Sequence, residues 1–193
     1  MAEVIAETER LRLRTWDPQD LDEFIERTNT PAVMRWLGGV WPRADHAAAF
    51  ERLVGYQQEF GHTFWVVERK ADGELLGFCG LKRFNHPGAG PITGDFEVAW
   101  RLREDVWGQG YAKEAAIKSI DLAFDRFGAS HVVALTVPGN VMSQGLMARL
   151  GMKRREDLDF IDPRFEHPGE LNPAIVAWID AGDWPAARAA ALA

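Results

Sequence analysis

Cysteine is almost absent: Cys79 is the only one, so no intrachain disulfide can form and a reducing, cytoplasmic setting is expected. Basic charge is also scarce. The 22 Lys and Arg are outnumbered by 29 Asp and Glu, and the net charge of −7 argues against general nucleic-acid binding, which needs a basic face. No apolar run approaches the roughly 20 residues of a membrane helix, so no membrane partner is expected. The first ten residues carry Glu3, Glu7 and Glu9 and have no apolar stretch of the signal-peptide kind. The histidines show no paired metal spacing and have no cysteine partner, which leaves no metal site to expect. His86 and His167 fall in loops that could border a substrate, but solvated loop histidines are the expectation for both. Tyrosine is limited to Tyr56 and Tyr111, and serine to Ser119, Ser130 and Ser143. No Gly-x-Ser-x-Gly surrounds Ser143, which excludes a hydrolase elbow.

Aromatic carbon, by contrast, is plentiful. Eight Trp and 11 Phe in 193 residues imply a large aromatic core or pocket, and 47% apolar with 26% charged residues is ordinary for a folded protein. The length suits a single domain over 1–193, with an Ala-rich tail from about 184 to 193 expected as a short, fraying helix.

Periodicity orders the elements. Leu11 and Leu13 alternate with Arg10, Arg12 and Arg14, a half-buried strand. Asp17-Pro18 and Thr30-Pro31 each read as a helix start, the first helix running to about Thr28. Asp45 reads as a third start, with Gly61 as the stop. Two strands, 63–69 and 75–84, flank the turn residues Ala71-Asp72-Gly73 as a hairpin. A loop over 85–94 leads to a strand at 95–102 and a long helix at 110–127. The apolar run 132–137 suits a buried central strand. Asn140 caps a helix that ends at Gly151, and two late strands lie near 153–160 and 174–179. The class is α/β with a mixed, partly parallel sheet.

Between the 95–102 strand and the long helix stands Trp107-Gly108-Gln109-Gly110-Tyr111-Ala112. Two residues without Cβ atoms let backbone come close to a ligand, and the N–H groups of a helix's first turn have no internal acceptors. With the helix dipole they make a pyrophosphate cradle that needs no basic side chain. The Walker A pattern has no match, and Lys113 stands where a Rossmann fingerprint needs glycine or alanine.

Four short segments in order resemble the GNAT acyltransferases, and within them the RimJ/RimL-like N-acetyltransferases. They are Glu97-Val98-Ala99-Trp100-Arg101-Leu102, Val106 through Ala115, Val137-Pro138-Gly139-Asn140 with Ser143, and Leu150-Gly151-Met152. The opening Glu7 through Arg14 is also typical of that group. The resemblance covers roughly residues 8–160. It implies a sheet splayed between its fourth and fifth strands, helices on both faces, and acetyl transfer from acetyl-CoA to a primary amine, on a small molecule or a protein N-terminus. It further implies direct attack in a ternary complex, in a monomer or homodimer. Backbone at Trp107, Gly108, Gln109, Gly110, Tyr111 and Ala112 would hold the pyrophosphate. Leu102-Arg103 would pair with the pantetheine arm and aim an N–H at the thioester carbonyl, and Asn140 would bond pantetheine or start its helix. Glu97 is the implied general base, because an amine must be neutral to attack. Relatives often carry a tyrosine acid where this chain has Met147; Ser143 is the implied substitute, within reach of both thiolate and cofactor. A catalytically silent acyl-CoA-binding or regulatory module is the competing reading. Trp16, Trp36, Trp41 and Phe84 are candidates for the acceptor side.

Overall fold

Alternating side chains make strands where one face can be buried, and this rule sets both halves of the sheet. The computed structural model describes residues 2–193 and groups them into two compact units. The first comprises Met1–Arg35, Gly39–Lys82 and Ala99–Ser119; the second comprises Trp36–Gly38, Arg83–Val98 and Ile120–Ala193.

In the first unit, β1 (Val4–Glu7), β2 (Leu11–Arg14), β3 (Phe64–Arg69) and β4 (Leu75–Arg83) form an antiparallel meander, the last residue of β4 entering the second unit. Leu11 and Leu13 are fully buried, while Arg12 and Arg14 reach across to Glu68 on β3. Helix α1 (Asp20–Thr28) starts two residues after the expected Pro18. The cause is tertiary: Asp20 accepts the Asp17 N–H at 2.7 Å and both terminal nitrogens of Arg14, so it organises the turn that Pro18 begins. Helix α2 (Pro31–Met34) is capped by Thr30, and α3 (Arg43–Phe60) closes at Gly61 with φ +71°. Trp16 and Phe24 meet edge to face at 5.1 Å, packed on Val66 and Leu75. Gly77 is required: a Cβ there would lie 2.1 Å from the Arg101 carbonyl oxygen.

Strand β5 (Phe96–Leu102) and helix α4 (Tyr111–Asp125) each run through both units. In the second unit β5 begins parallel to β6 (His131–Thr136), and β6 pairs antiparallel with β8 (Ile175–Asp180), which also pairs with β7 (Lys153–Arg154). The β5–β6 ladder stops at Glu97↔Val133, although β6 continues to Thr136 on its β8 side. That is where the splay is expected; it falls at the fifth strand because β1, unread in the sequence, precedes it. Helix α5 (Val141–Arg149) is capped by Asn140. The late strand expected over 153–160 breaks up into β7, a 3-10 turn at Glu156–Leu158 and a single bridge from Phe160 to Ala174. Helix α6 (Trp184–Leu192) is docked: Trp184 Nε1 and Arg188 Nε both donate to Asp121 Oδ1, at 2.9 and 2.8 Å. The core of this unit gathers Phe84, Ile92, Val133, Phe160 and Val176. Among the described residues, no helix is long and apolar enough to cross a membrane.

Candidate active site

The glycine loop lies in the first unit. Gly108 and Gly110 adopt φ +75° and +84°, conformations that L side chains resist. A Cβ on Gly108 would meet nothing within 4 Å, so the loop leaves open space where a pyrophosphate could approach. Backbone bonding resumes with the Glu114 N–H on Gly110 O at 3.0 Å, a turn into α4. The Trp107 indole N–H donates to Leu102 O at 2.9 Å and ties the loop to the end of β5. The Gln109 amide reaches Asp105 O at 3.2 Å.

Arg10, on the polar face of the first expected strand and within the family-like opening, braces this loop. Its Nη1 donates to Gln109 O at 3.0 Å, its guanidinium lies 4.4 Å from the centre of the Tyr111 ring, and its backbone N–H and Nε both donate to Glu114. The Thr8 hydroxyl also donates to Glu114. Burial pushes the Glu114 carboxyl up, but these donors outweigh it and hold the group below its ordinary range. The sequence signal was the Thr8-Glu9-Arg10 segment within the family-like opening. Arg103 serves the framework: its N–H donates to Leu76 O at 2.8 Å, and its guanidinium pairs with Asp105 and Glu74.

Glu97, in the second unit, is 6% exposed. Its Oε2 lies 3.4 Å from His86 Nε2, and His86 Nδ1 lies 2.8 Å from Arg164 Nη2. A guanidinium only donates, so Nδ1 supplies the lone pair and the imidazole proton sits on Nε2, facing Glu97. Arg164 is itself gripped by the buried Asp162, whose carboxyl is held below its ordinary value chiefly by that guanidinium. His86 is therefore no solvated loop histidine. Its ring lies tilted against Phe84 at 4.7 Å and is the middle of a line running Asp162, Arg164, His86, Glu97.

Asn140 and Ser143 are brought together. Asn140 Oδ1 accepts the Ser143 N–H at 3.3 Å, and Asn140 Nδ2 donates to Ser143 Oγ at 3.2 Å. Gly139 just before them lets the Trp36 ring pass, since a Cβ there would lie 2.4 Å from it. Met147 is buried. Of the aromatic candidates, Trp16 and Phe84 are core residues, whereas Trp36 and Trp41 stay half-buried. Cys79 is fully buried, with Sγ 3.6 Å from Ser119 Oγ, and burial pushes its thiol up to about 12. Ellman's reagent is expected to leave the native protein unlabelled and to titrate one thiol after denaturation; rapid reaction in the native state would mark Cys79 as accessible.

Comparison with known proteins follows the same lines. The acetyltransferase (GNAT) domain family matches residues 10–153. YkkB of Bacillus subtilis (strain 168), an uncharacterized protein, is 28% identical over 146 residues, covering 75% of this chain and 83% of its own. An uncharacterized N-acetyltransferase, p20, of Bacillus licheniformis is 25% identical over 151 residues, covering 76% and 81%. An acetyltransferase structure from Agrobacterium tumefaciens str. C58 superposes with a TM-score of 0.70 at 25% identity, covering 90% of this chain and 92% of that one. A Vibrio cholerae structure, provisionally described as a ribosomal-protein-serine acetyltransferase, gives a TM-score of 0.68 at 21% identity over 90% and 95%.

Proposed function

The chain belongs to the GNAT acetyltransferase family, which uses acetyl-CoA, and we propose that it moves the acetyl group to a primary amine, on a small molecule or a protein N-terminus, by direct attack in a ternary complex. The observation that carries this reading is the loop of Gly108 and Gly110 opening onto the first turn of α4, with open space where a pyrophosphate would sit. Backbone N–H groups from Trp107 to Ala112 would hold the two phosphates without a basic side chain. Because the Arg103 N–H is spent on β4, strand alternation turns the Leu102 N–H to the opposite edge, where it can meet the pantetheine arm or the thioester oxygen. Bound acetyl-CoA supplies an activated acyl group and a thiolate leaving group.

Glu97 is the base in this reading. A lysine-type amine has a pKa of about 10.4 and is almost wholly charged at neutral pH, so a carboxylate that takes its proton raises the reactive fraction. His86 keeps Glu97 oriented by donating from Nε2. With Cys79 buried and un-ionised, the chain offers no thiol for an acyl-enzyme, which supports direct transfer. The same single buried cysteine supports a cytoplasmic setting. The test is CoA release from acetyl-CoA with a mixed panel of amines and peptides: turnover on some acceptor is expected, while binding without turnover on any of them would replace this reading with that of a silent acyl-CoA-binding module.

Ser143 would steady the departing thiolate. The Asn140 amide fixes its oxygen on the first turn of α5, and Met147 offers no proton of its own. Ser143→Ala is expected to slow the chemical step by about 10- to 100-fold, the equivalent of about 1.4–2.7 kcal/mol. Acetyl-CoA affinity should hardly change. Single-turnover kinetics with a thioester of a more acidic thiol checks this: a better leaving group should mask the defect, and an undiminished defect would reduce Ser143 to a helix-start residue.

A further inference from the structure

Arg101 is a buried cation with no anion. It projects from β5 in the first unit, is 7% exposed, and is absent from every ion pair among the described residues. Its Nη2 donates to Thr28 Oγ1 at 2.9 Å, and its guanidinium lies 4.7 Å from the centre of the Phe24 ring. Thr28 gives its own proton to Phe24 O at 2.7 Å, so toward Arg101 it can only accept. Arg101 Nε is buried without any hydrogen-bond partner. His46, on α3, repeats the pattern: it is 3% exposed and its Nε2 is likewise buried and unpartnered. The His46 ring packs against Trp41 at 5.3 Å and Phe24 at 6.3 Å.

An isolated charge held out of water is costly, and buried polar atoms are nearly always satisfied. Two orphaned nitrogens in one aromatic setting therefore call for a ligand. Burial brings Arg101 down to about 10, so it stays charged at neutral pH. Burial first, and then the charge of Arg101, hold His46 below its ordinary value against the opposing pull of Asp45, so His46 is neutral there. The cluster thus presents one positive charge, a planar fork of donors and a neutral imidazole. That set matches a monoanionic carboxylate, which accepts side by side from a guanidinium. Within the buried cluster itself, a dianionic phosphate would bring a second charge with no second cation beside Arg101. A surface recess of about 260 Å³ lined by Trp41, Asp45, Ala48 and Arg52 shares Trp41 with this cluster.

We propose that Arg101, steadied by Thr28 and joined by His46, binds the carboxylate of the amine acceptor, so that the substrates are carboxylate-bearing amines such as amino acids. This rests on the acetyl-transfer reading. The probes are N-acetyl-L-phenylalanine, which carries the carboxylate on an aromatic body, and its carboxamide, which lacks the charge. In calorimetry the native protein should bind the acid at least 10-fold more tightly than the amide. Arg101→Met should bring the ratio close to one, mainly by weakening the acid, and Arg101→Lys should restore part of it. Arg101→Met should also melt no lower than the native protein, because the change removes an unpaired buried charge. Should that variant fail to fold, Arg101→Gln reads the same ratio. Absence of any preference for the acid in the native protein, or a preference that survives loss of the guanidinium, would overturn the proposal. Tighter binding of inorganic phosphate than of the acid would overturn the carboxylate assignment. A parallel titration with acetyl-CoA separates the two levels: intact acetyl-CoA binding without acid preference removes this subsite alone, whereas absent acetyl-CoA binding removes the reading beneath it.

Discussion

Gly110→Val is expected to abolish measurable acetyl-CoA binding, with an affinity loss of at least about 100-fold, or about 2.7 kcal/mol. At φ +84° a side chain pays roughly 1–2 kcal/mol in backbone strain, a bearable fraction of the 5–15 kcal/mol that typically stabilises a domain. The Cβ itself would sit 3.4 Å from Arg10 Nη2, and the two further methyl groups of valine would push the guanidinium off Gln109 O. The fold should survive, because the far end of an arginine can move. The ligand should not bind, because the backbone would no longer come within hydrogen-bond reach of a phosphate. Gly108→Ala is the companion variant. A Cβ there meets no protein atom within 4 Å, so its only internal cost is the backbone strain at φ +75°, and an affinity loss without a matching loss of melting temperature reports on the ligand's approach. Calorimetry that finds acetyl-CoA affinity unchanged in both variants would remove the phosphate-loop assignment.

Glu97→Gln is expected to lower kcat by about 10²- to 10⁴-fold near neutral pH, with the deficit shrinking as pH rises toward the pKa of the acceptor amine. The substitution keeps the shape and leaves an acceptor oxygen for the His86 Nε2–H, but removes the ability to hold a proton. At high pH the amine is already neutral and the base is redundant. A deficit equal at all pH values would assign Glu97 to positioning. His86→Ala separates orientation from chemistry: it should cost less than Glu97→Gln and add little on top of it, since His86 acts only through the carboxylate it faces.

The fold was legible where local chemistry decides it. Thr30-Pro31, Gly61, the 71–73 turn and Asn140 mark their boundaries with one or two residues whose preferred dihedrals or hydrogen bonds act alone. Local signals failed where the pairing of charged side chains overrides the backbone preference. Asp17-Pro18 resembles a helix start, but Arg14 engages Asp20 and moves the start along the chain. Residues 153–160 contain too little alternation to hold a strand: Arg154 folds back on Asp159 and Arg155 on Asp157, each satisfying its charge locally. β1 is four residues long, and only two of its positions turn partly inward, which is too little pattern to read.

The site divides in the same way. The glycines, Glu97, Asn140 and Ser143 stand in short segments whose spacing is visible in one dimension. The partners that define their electrostatics do not. His86 lies 11 positions from Glu97, and Arg164 lies 78 positions from His86; nothing in a loop sequence says that these three will line up. Arg10 is 104 positions from Glu114. Arg101 is the instructive case. As a letter in Trp100-Arg101-Leu102 it looks like an ordinary strand residue, and only the folded chain shows that, among the described residues, no carboxylate pairs with it in the interior.

The docking of α6 changes what its alanine-rich composition means. Such a composition resembles a segment that frays, yet Trp184 is 5% exposed and its indole is bonded to Asp121. Without the helix the Asp121 carboxylate would lose both Trp184 and Arg188, and Gly151, where a Cβ would lie 2.6 Å from Ala187, would lose the neighbour that requires it to be glycine. The helix thus seals one side of the second unit rather than trailing from it.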